Sequence, residues 1–76
     1  MEFKKSESKY IIMVDGAEVG EIAKNSNDWF MCWKAQFNFK IPGHINSEIG
    51  HTLKDVKKKI EKLYYSLMKL DRSKLW

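Results

Sequence analysis

Cysteine, proline and arginine each occur once in this chain of 76 residues, as Cys32, Pro42 and Arg72. A lone thiol excludes an intrachain disulfide, so nothing here is stapled in the manner of a small secreted domain. Cys32, His44 and His51 are the only soft or imidazole ligands, and their spacing matches no zinc motif, so no metal site is expected. No apolar run approaches the ~18 residues of a membrane span. Met1 to Ser6 lacks the apolar core of a signal peptide. The chain is therefore read as cytoplasmic, with no membrane partner. Thirteen of its 14 basic residues are Lys. Base-edge reading and bidentate carboxylate pairing favour Arg, so these lysines suit diffuse phosphate contact or plain solubility.

Catalytic signatures are missing as well. There is no P-loop, no dinucleotide-binding glycine pattern and no nucleophile elbow. Glu18 and Glu21 fall on opposite faces of one expected strand and cannot act as a carboxylate pair. Cys32 lies mid-strand among aromatics, where a thiol behaves as a small hydrophobe rather than half of a Cys–His pair. A domain this small also has little room for a deep pocket. The expectation is a protein that is not an enzyme and carries no cofactor.

Aromatic side chains are plentiful: three Trp, three Tyr and four Phe. Hydrophobic residues at 43% and charged residues at 32% are globular values. Such a chain makes one domain, burying about 60% of the surface its unfolded form exposes, with a stability of ~3–5 kcal/mol. Residues 1–8 are polar and read as a flexible N-terminal segment, leaving 9–76 as a single α+β domain.

Lys9 to Val14 is β-branched and apolar, and reads as a strand. Asp15-Gly16 is a two-residue hairpin signal, because both central positions of a type I′ turn need φ > 0. Ala17 to Lys24 is then the return strand. After the Asn25-Ser26-Asn27-Asp28 turn cluster, Trp29 to Phe39 reads as a third strand, with Trp33, Ala35, Phe37 and Phe39 on one side. The span 40–51 is a connection with room for a helical turn near Asn46–Ile49. Thr52, with Asp55 three residues on, resembles a capping box. Leu53, Val56, Ile60, Leu63, Leu67 and Leu70 then form one apolar helical stripe, which Asp71-Arg72-Ser73 ends. The expected fold is a three-stranded antiparallel meander with one C-terminal α-helix packed on one face, in the order β-β-β-α.

A two-residue loop at Asp15-Gly16 pairs Val14 with Ala17, Ile12 with Val19 and Tyr10 with Glu21. Odd positions of the third strand, Met31 to Phe37, join that face and receive the helix. One helix covers one face. The other is expected to expose Ile11, Met13, Ile22 and Phe30 among lysines that include Lys34. A cluster of that kind suits a partner protein or a second copy of the chain, forming a homodimer, unless the 40–51 span with Ile41, Ile45 and Ile49 folds over it.

On the outer side of the helix, Lys54, Lys58, Lys62, Tyr65 and Lys69 fall within about 80° of one another. Such a row can follow a phosphate backbone, each lysine displacing a counterion, with Tyr65 placed to stack on a base or ribose. It can equally be the solvated face of an amphipathic helix. The helix start at Gly50-His51-Thr52, near Lys54 and Lys57, is a weaker anion site.

The β-β-β-α order resembles the small arm-binding domains of phage-type integrases. It also resembles the last two-thirds of double-stranded-RNA-binding domains, with Gly50-His51-Thr52-Leu53-Lys54 and Lys57-Lys58 standing where that family has its Gly-x-Ser-Lys-Lys helix start. What the resemblance implies is a shape able to bind nucleic acid. Two functions are thus expected. The first is weakly sequence-specific nucleic-acid binding through the lysine face, and through the open sheet face. The second is a protein-binding adaptor or inhibitor using Ile11, Met13, Ile22, Phe30 and Lys34.

Overall fold

The computed structural model describes residues 1–26 and 29–75, with side chains described as far as Lys69. Five strands, β1 (Glu2–Ser6), β2 (Lys9–Val14), β3 (Ala17–Lys24), β4 (Trp33–Phe37) and β5 (Ser47–Gly50), precede helix α1 (Leu53–Leu75). The strands pair in chain order, each antiparallel to the next, as a single sheet. The α+β class, the antiparallel sheet and the C-terminal helix match the sequence reading; the strand count does not, being five rather than three.

Both extra strands lie at the edges. Residues 1–8, expected to be a flexible segment outside the domain, supply β1 and its turn, with Phe3 set opposite Ile12 of β2. An edge strand needs only one buried face, and Phe3 alone provides it, while Lys4 and Lys5 are exposed and discourage further pairing. The 40–51 span is not a bare connection, and Asn46–Ile49 is not a helical turn. Ser47–Gly50 pairs with β4 instead. The turn before β5 closes through a His44 N–H to Ile41 carbonyl bond (3.0 Å), with Gly43 at φ 82°. Asn46 then ties this loop to β4: its carbonyl accepts from the Phe37 N–H at 2.9 Å, and its side-chain amide donates to the Phe39 carbonyl at 3.1 Å.

Asp15 and Gly16 occupy the left-handed region at φ 51° and 81°, as the hairpin reading requires. Val14 faces Ala17 and Met13 faces Glu18, but Ile12 then faces Gly20, because a bulge shifts the register. Beyond that point every β3 residue reverses its expected face. Tyr10 pairs with Ile22 instead of Glu21, and Ile11 pairs with Glu21. Ile22 is therefore fully buried under the helix, and Glu21 turns to water, where it bonds Lys9 at 2.8 Å. The physical reason is plain: the unbulged register would seat a carboxylate in the core and an isoleucine in solvent. Asn38 holds the bulged residues from the β4 side. Its backbone N–H donates to Val19 at 2.8 Å and its side-chain amide to Glu18 at 3.1 Å.

The third expected strand is trimmed from Trp29–Phe39 to β4. Trp33, Ala35 and Phe37 keep the expected face; Met31 lies outside the strand. Val56, Ile60 and Leu67 of α1 bury completely, or nearly so, against Ile12, Ile22, Ala35 and Phe37, with Leu53 and Leu63 partly buried beside them. Leu70's side chain and Trp76 lie outside the described residues. The helix passes Asp71-Arg72-Ser73 and continues to Leu75, correcting the expected end. Thr52 caps its start, its Oγ1 accepting from the Asp55 N–H at 3.1 Å.

Two close approaches hold the layers. At Gly50, where β5 runs into α1, an added Cβ would stand 2.8 Å from the Val56 Cβ. At Gly20, it would run into the Gln36 carbonyl and lie 2.9 Å from the Phe37 Cα. Gly20→Ala is accordingly expected to cost about 3 kcal/mol through backbone displacement, most of a stability of ~3–5 kcal/mol. A urea titration followed by circular dichroism checks this; a midpoint equal to that of the parent chain would contradict it.

Candidate functional site

Charge is unevenly placed along this chain. Residues 53–69 hold six Lys against two acids, whereas the remaining residues hold eight basic and eight acidic side chains. The whole net charge of +4 is thus carried by one stretch of α1. Two of its six lysines are turned to structural use. Lys57 lies over the Phe3 and Tyr10 rings at 5.2 and 4.9 Å, a cation–π contact that fastens β1 and β2 to the helix. Lys59 donates to the Ile49 carbonyl of β5 at 3.2 Å and stands 3.4 Å from Asp55.

The other four, Lys54, Lys58, Lys62 and Lys69, are exposed together with Tyr65. The five residues of the expected row are therefore brought together on one side, opposite Val56, Ile60 and Leu67. At 1.5 Å per residue the ridge is about 22 Å long, with its first three lysines about 6 Å apart. Among the described residues, Lys54, Lys58 and Lys62 form no ion pair. The C-terminal end of the ridge borders an open groove of about 750 Å³, whose lining includes Asp15, Tyr64, Tyr65, Met68 and Lys69.

The expected partner surface does not assemble. Ile11, Met13 and Lys34 do share the open sheet face. Ile22 does not, because the bulge carries it into the core. Phe30 does not either, because it lies in the loop before β4 rather than in a strand. What remains is a mixed surface on which Lys4, Lys9 and Lys34 are matched by Glu2, Glu18 and Glu21, while Ile11 and Met13 are only partly exposed. The hydrogen bond and charge of Glu21 hold the Lys9 ammonium above its ordinary 10.5. With a folded value above the unfolded one, the pair's contribution is fully present below 10.5 and is lost as pH rises through the folded value.

A different aromatic cluster stands out in the loop that joins β3 to β4. Trp29 is 89% exposed and Phe30 52%. Their rings meet edge to face at 6.0 Å, and Phe30 packs against the His51 imidazole at 4.6 Å. The loop is closed by an Asn25 N–H to Cys32 carbonyl bond of 2.8 Å and by the Asn25 side-chain amide on Met31 at 3.1 Å. The Cys32 thiol lies 3.0 Å from the Trp29 carbonyl. His51 Nδ1 is 2.7 Å from the Phe30 carbonyl, which can only accept, so Nδ1 carries the hydrogen. His51 thereby links the loop to the residue just before the helix cap. Left in water, an indole of about 200 Å² forgoes up to about 5 kcal/mol at about 25 cal/mol per Å². The sequence reading drew Trp29 and Phe30 into a strand because both residues favour strands. The signal that separates them is that the apolar-polar alternation begins only at Cys32.

Among the described residues, no three His, Cys, Asp or Glu side chains group closely enough to hold a metal ion. No helix among them is long and apolar enough to cross a membrane. Comparison with family models, with curated proteins and with solved structures finds no match.

Because His51 is exposed and, among the described residues, bonds the loop at Phe30, His51→Ala should release residues 29–32 without unfolding the sheet. Amide exchange is expected to quicken at Phe30–Cys32 while Ile12, Ile22 and Ile60 keep their protection. Equal acceleration at all six positions would show that the clamp belongs to the core.

Proposed function

We propose that this chain is a non-catalytic nucleic-acid-binding protein that holds the phosphate backbone along the Lys54, Lys58, Lys62 and Lys69 ridge of α1. The observation that carries the reading is the confinement of the whole net charge to one helical stretch, on which Lys54, Lys58, Lys62 and Lys69 are exposed along one side. Four cations spread over about 22 Å can each displace a counterion condensed on a nucleic acid, and that release is the driving force. Lysine makes point-charge contacts with no fixed fork, so binding through this ridge discriminates little between sequences. Tyr65, exposed among the lysines, adds a flat ring able to lie on a sugar or base. The balanced charge of the open sheet face gives that face no comparable pull. The alternative, a protein-binding adaptor or homodimer through the same face, loses Ile22 to the core and Phe30 to a loop, and keeps Ile49 on that face with the partly exposed Ile11 and Met13.

Affinity should fall with salt along a slope of about −2.8 to −3.6 in log K against log salt for four phosphate contacts. Replacing Lys58 and Lys62 together by Ala should reduce the slope's magnitude by about 1.4 to 1.8. Fluorescence anisotropy with a labelled oligonucleotide across a salt series measures both. Affinity indifferent to salt would overturn the reading.

A further inference from the structure

We infer that Trp29, backed by Phe30 and His51, is a stacking platform for an unpaired nucleobase, so that nucleic acid drawn to the ridge is bound preferentially as a single strand. The inference rests on the proposed function and names its substrate class. An indole 89% exposed has at least one ring face open to solvent. The loop carrying it is closed by Asn25 and Cys32 and held to the start of α1 by His51. A ring carried on backbone tied in this way has less freedom to lose when a flat partner lands on it than one on an untied segment.

The chemistry around it selects a base over an apolar protein surface. Lys24 closes β3 immediately before the loop, with its ammonium 4.5 Å over the Trp33 ring. Lys54, the first lysine of the ridge, is three residues from His51. Against these stands Asp28, next to Trp29 in the sequence. The rings of Trp29 and Phe30 meet each other, and Phe30 meets the His51 imidazole. An exposed aromatic beside a cationic track is the arrangement that binds single strands without regard to sequence, since every base offers a π-face. Inside a duplex both faces of each base are covered by its neighbours, so this ring has nothing to stack on there.

The test uses the full chain with a labelled oligothymidylate and with a duplex of equal length. The expected result is tighter binding of the single strand, weakened about tenfold by Trp29→Ala, with duplex affinity unchanged. Trp29→Phe keeps a ring and should keep most of the affinity while losing the fluorescence quenching that the single strand causes in the parent chain. Because Trp29 is so exposed, neither variant should alter the thermal melt. Equal affinity for the two forms, or a Trp29→Ala chain that binds oligothymidylate like the parent, overturns the platform and leaves the ridge reading standing if the salt slope is as stated. Binding of neither form at low salt overturns both. If Trp29→Ala instead abolishes self-association in sedimentation while oligothymidylate binding is unchanged, the ring is a protein contact and the inference fails.

Discussion

The bulge opposite Met13 decides which side of this sheet is a core. Every strand alternates its side chains, so a single inserted residue reverses the assignment of all that follow. Here the insertion puts Ile22 beneath α1 and sends Glu21 out to Lys9. The following pairs inherit the choice: Ile22 fixes Ala35, and Gly20 fixes Phe37, on the helix side of β4. Gly20 permits the close approach of β4, and Asn38 bonds the Glu18 and Val19 carbonyls of the bulged segment. Without that extra residue, the helix would meet a carboxylate at the centre of its footprint.

Once the core is assigned to one face, the helix serves two surfaces. Its inner stripe closes the core, and its outer side collects the charge that the rest of the chain balances internally. The division is visible in individual lysines. Lys57 and Lys59 spend their charge on the rings of β1 and β2 and on a carbonyl of the edge strand β5, and Lys54, Lys58 and Lys62 do not. A sheet face with matched charges and a helix face rich in lysine give the molecule a cationic side and a near-neutral side. That polarity, more than the modest total charge, is what orients a polyanion.

The helix was the most legible part of the sequence, because its start is marked by a capping threonine and its apolar residues recur over several turns. The Asp15-Gly16 turn was equally legible, since few other residue pairs adopt two positive φ values. The edge strands were not. β1 offers one inward apolar residue, Phe3, and β5 turns its single large apolar residue, Ile49, away from the core and places Glu48 and Gly50 on the helix side. Alternation cannot be read from one residue or from an inverted pattern. The bulge carried a weak local sign in Gly20, a glycine inside a strand, which marks a bulge or a close backbone approach and here marks both. The lysine row was readable because it depends only on helical spacing. The open-face cluster was misjudged because Ile22 depends on register, and Phe30 depends on where β4 begins.

Those two misplaced residues fall on opposite sides of one physical question, which is how a small domain spends its apolar side chains. A chain with only ~3–5 kcal/mol in hand gains by burying Ile22, and the bulge accomplishes it. The same economy would favour folding Trp29 and Phe30 inward as well. Instead the chain commits Asn25, Cys32 and His51 to holding a loop that keeps them out. Hydrogen bonds that fix an unfavourable exposure do not raise stability over a collapsed loop; they restrict where the rings can be found. Such restriction has value where a partner arrives, because the ordering cost is then met before contact. The position of the loop beside the start of the cationic helix is what connects that waiting ring to the ridge.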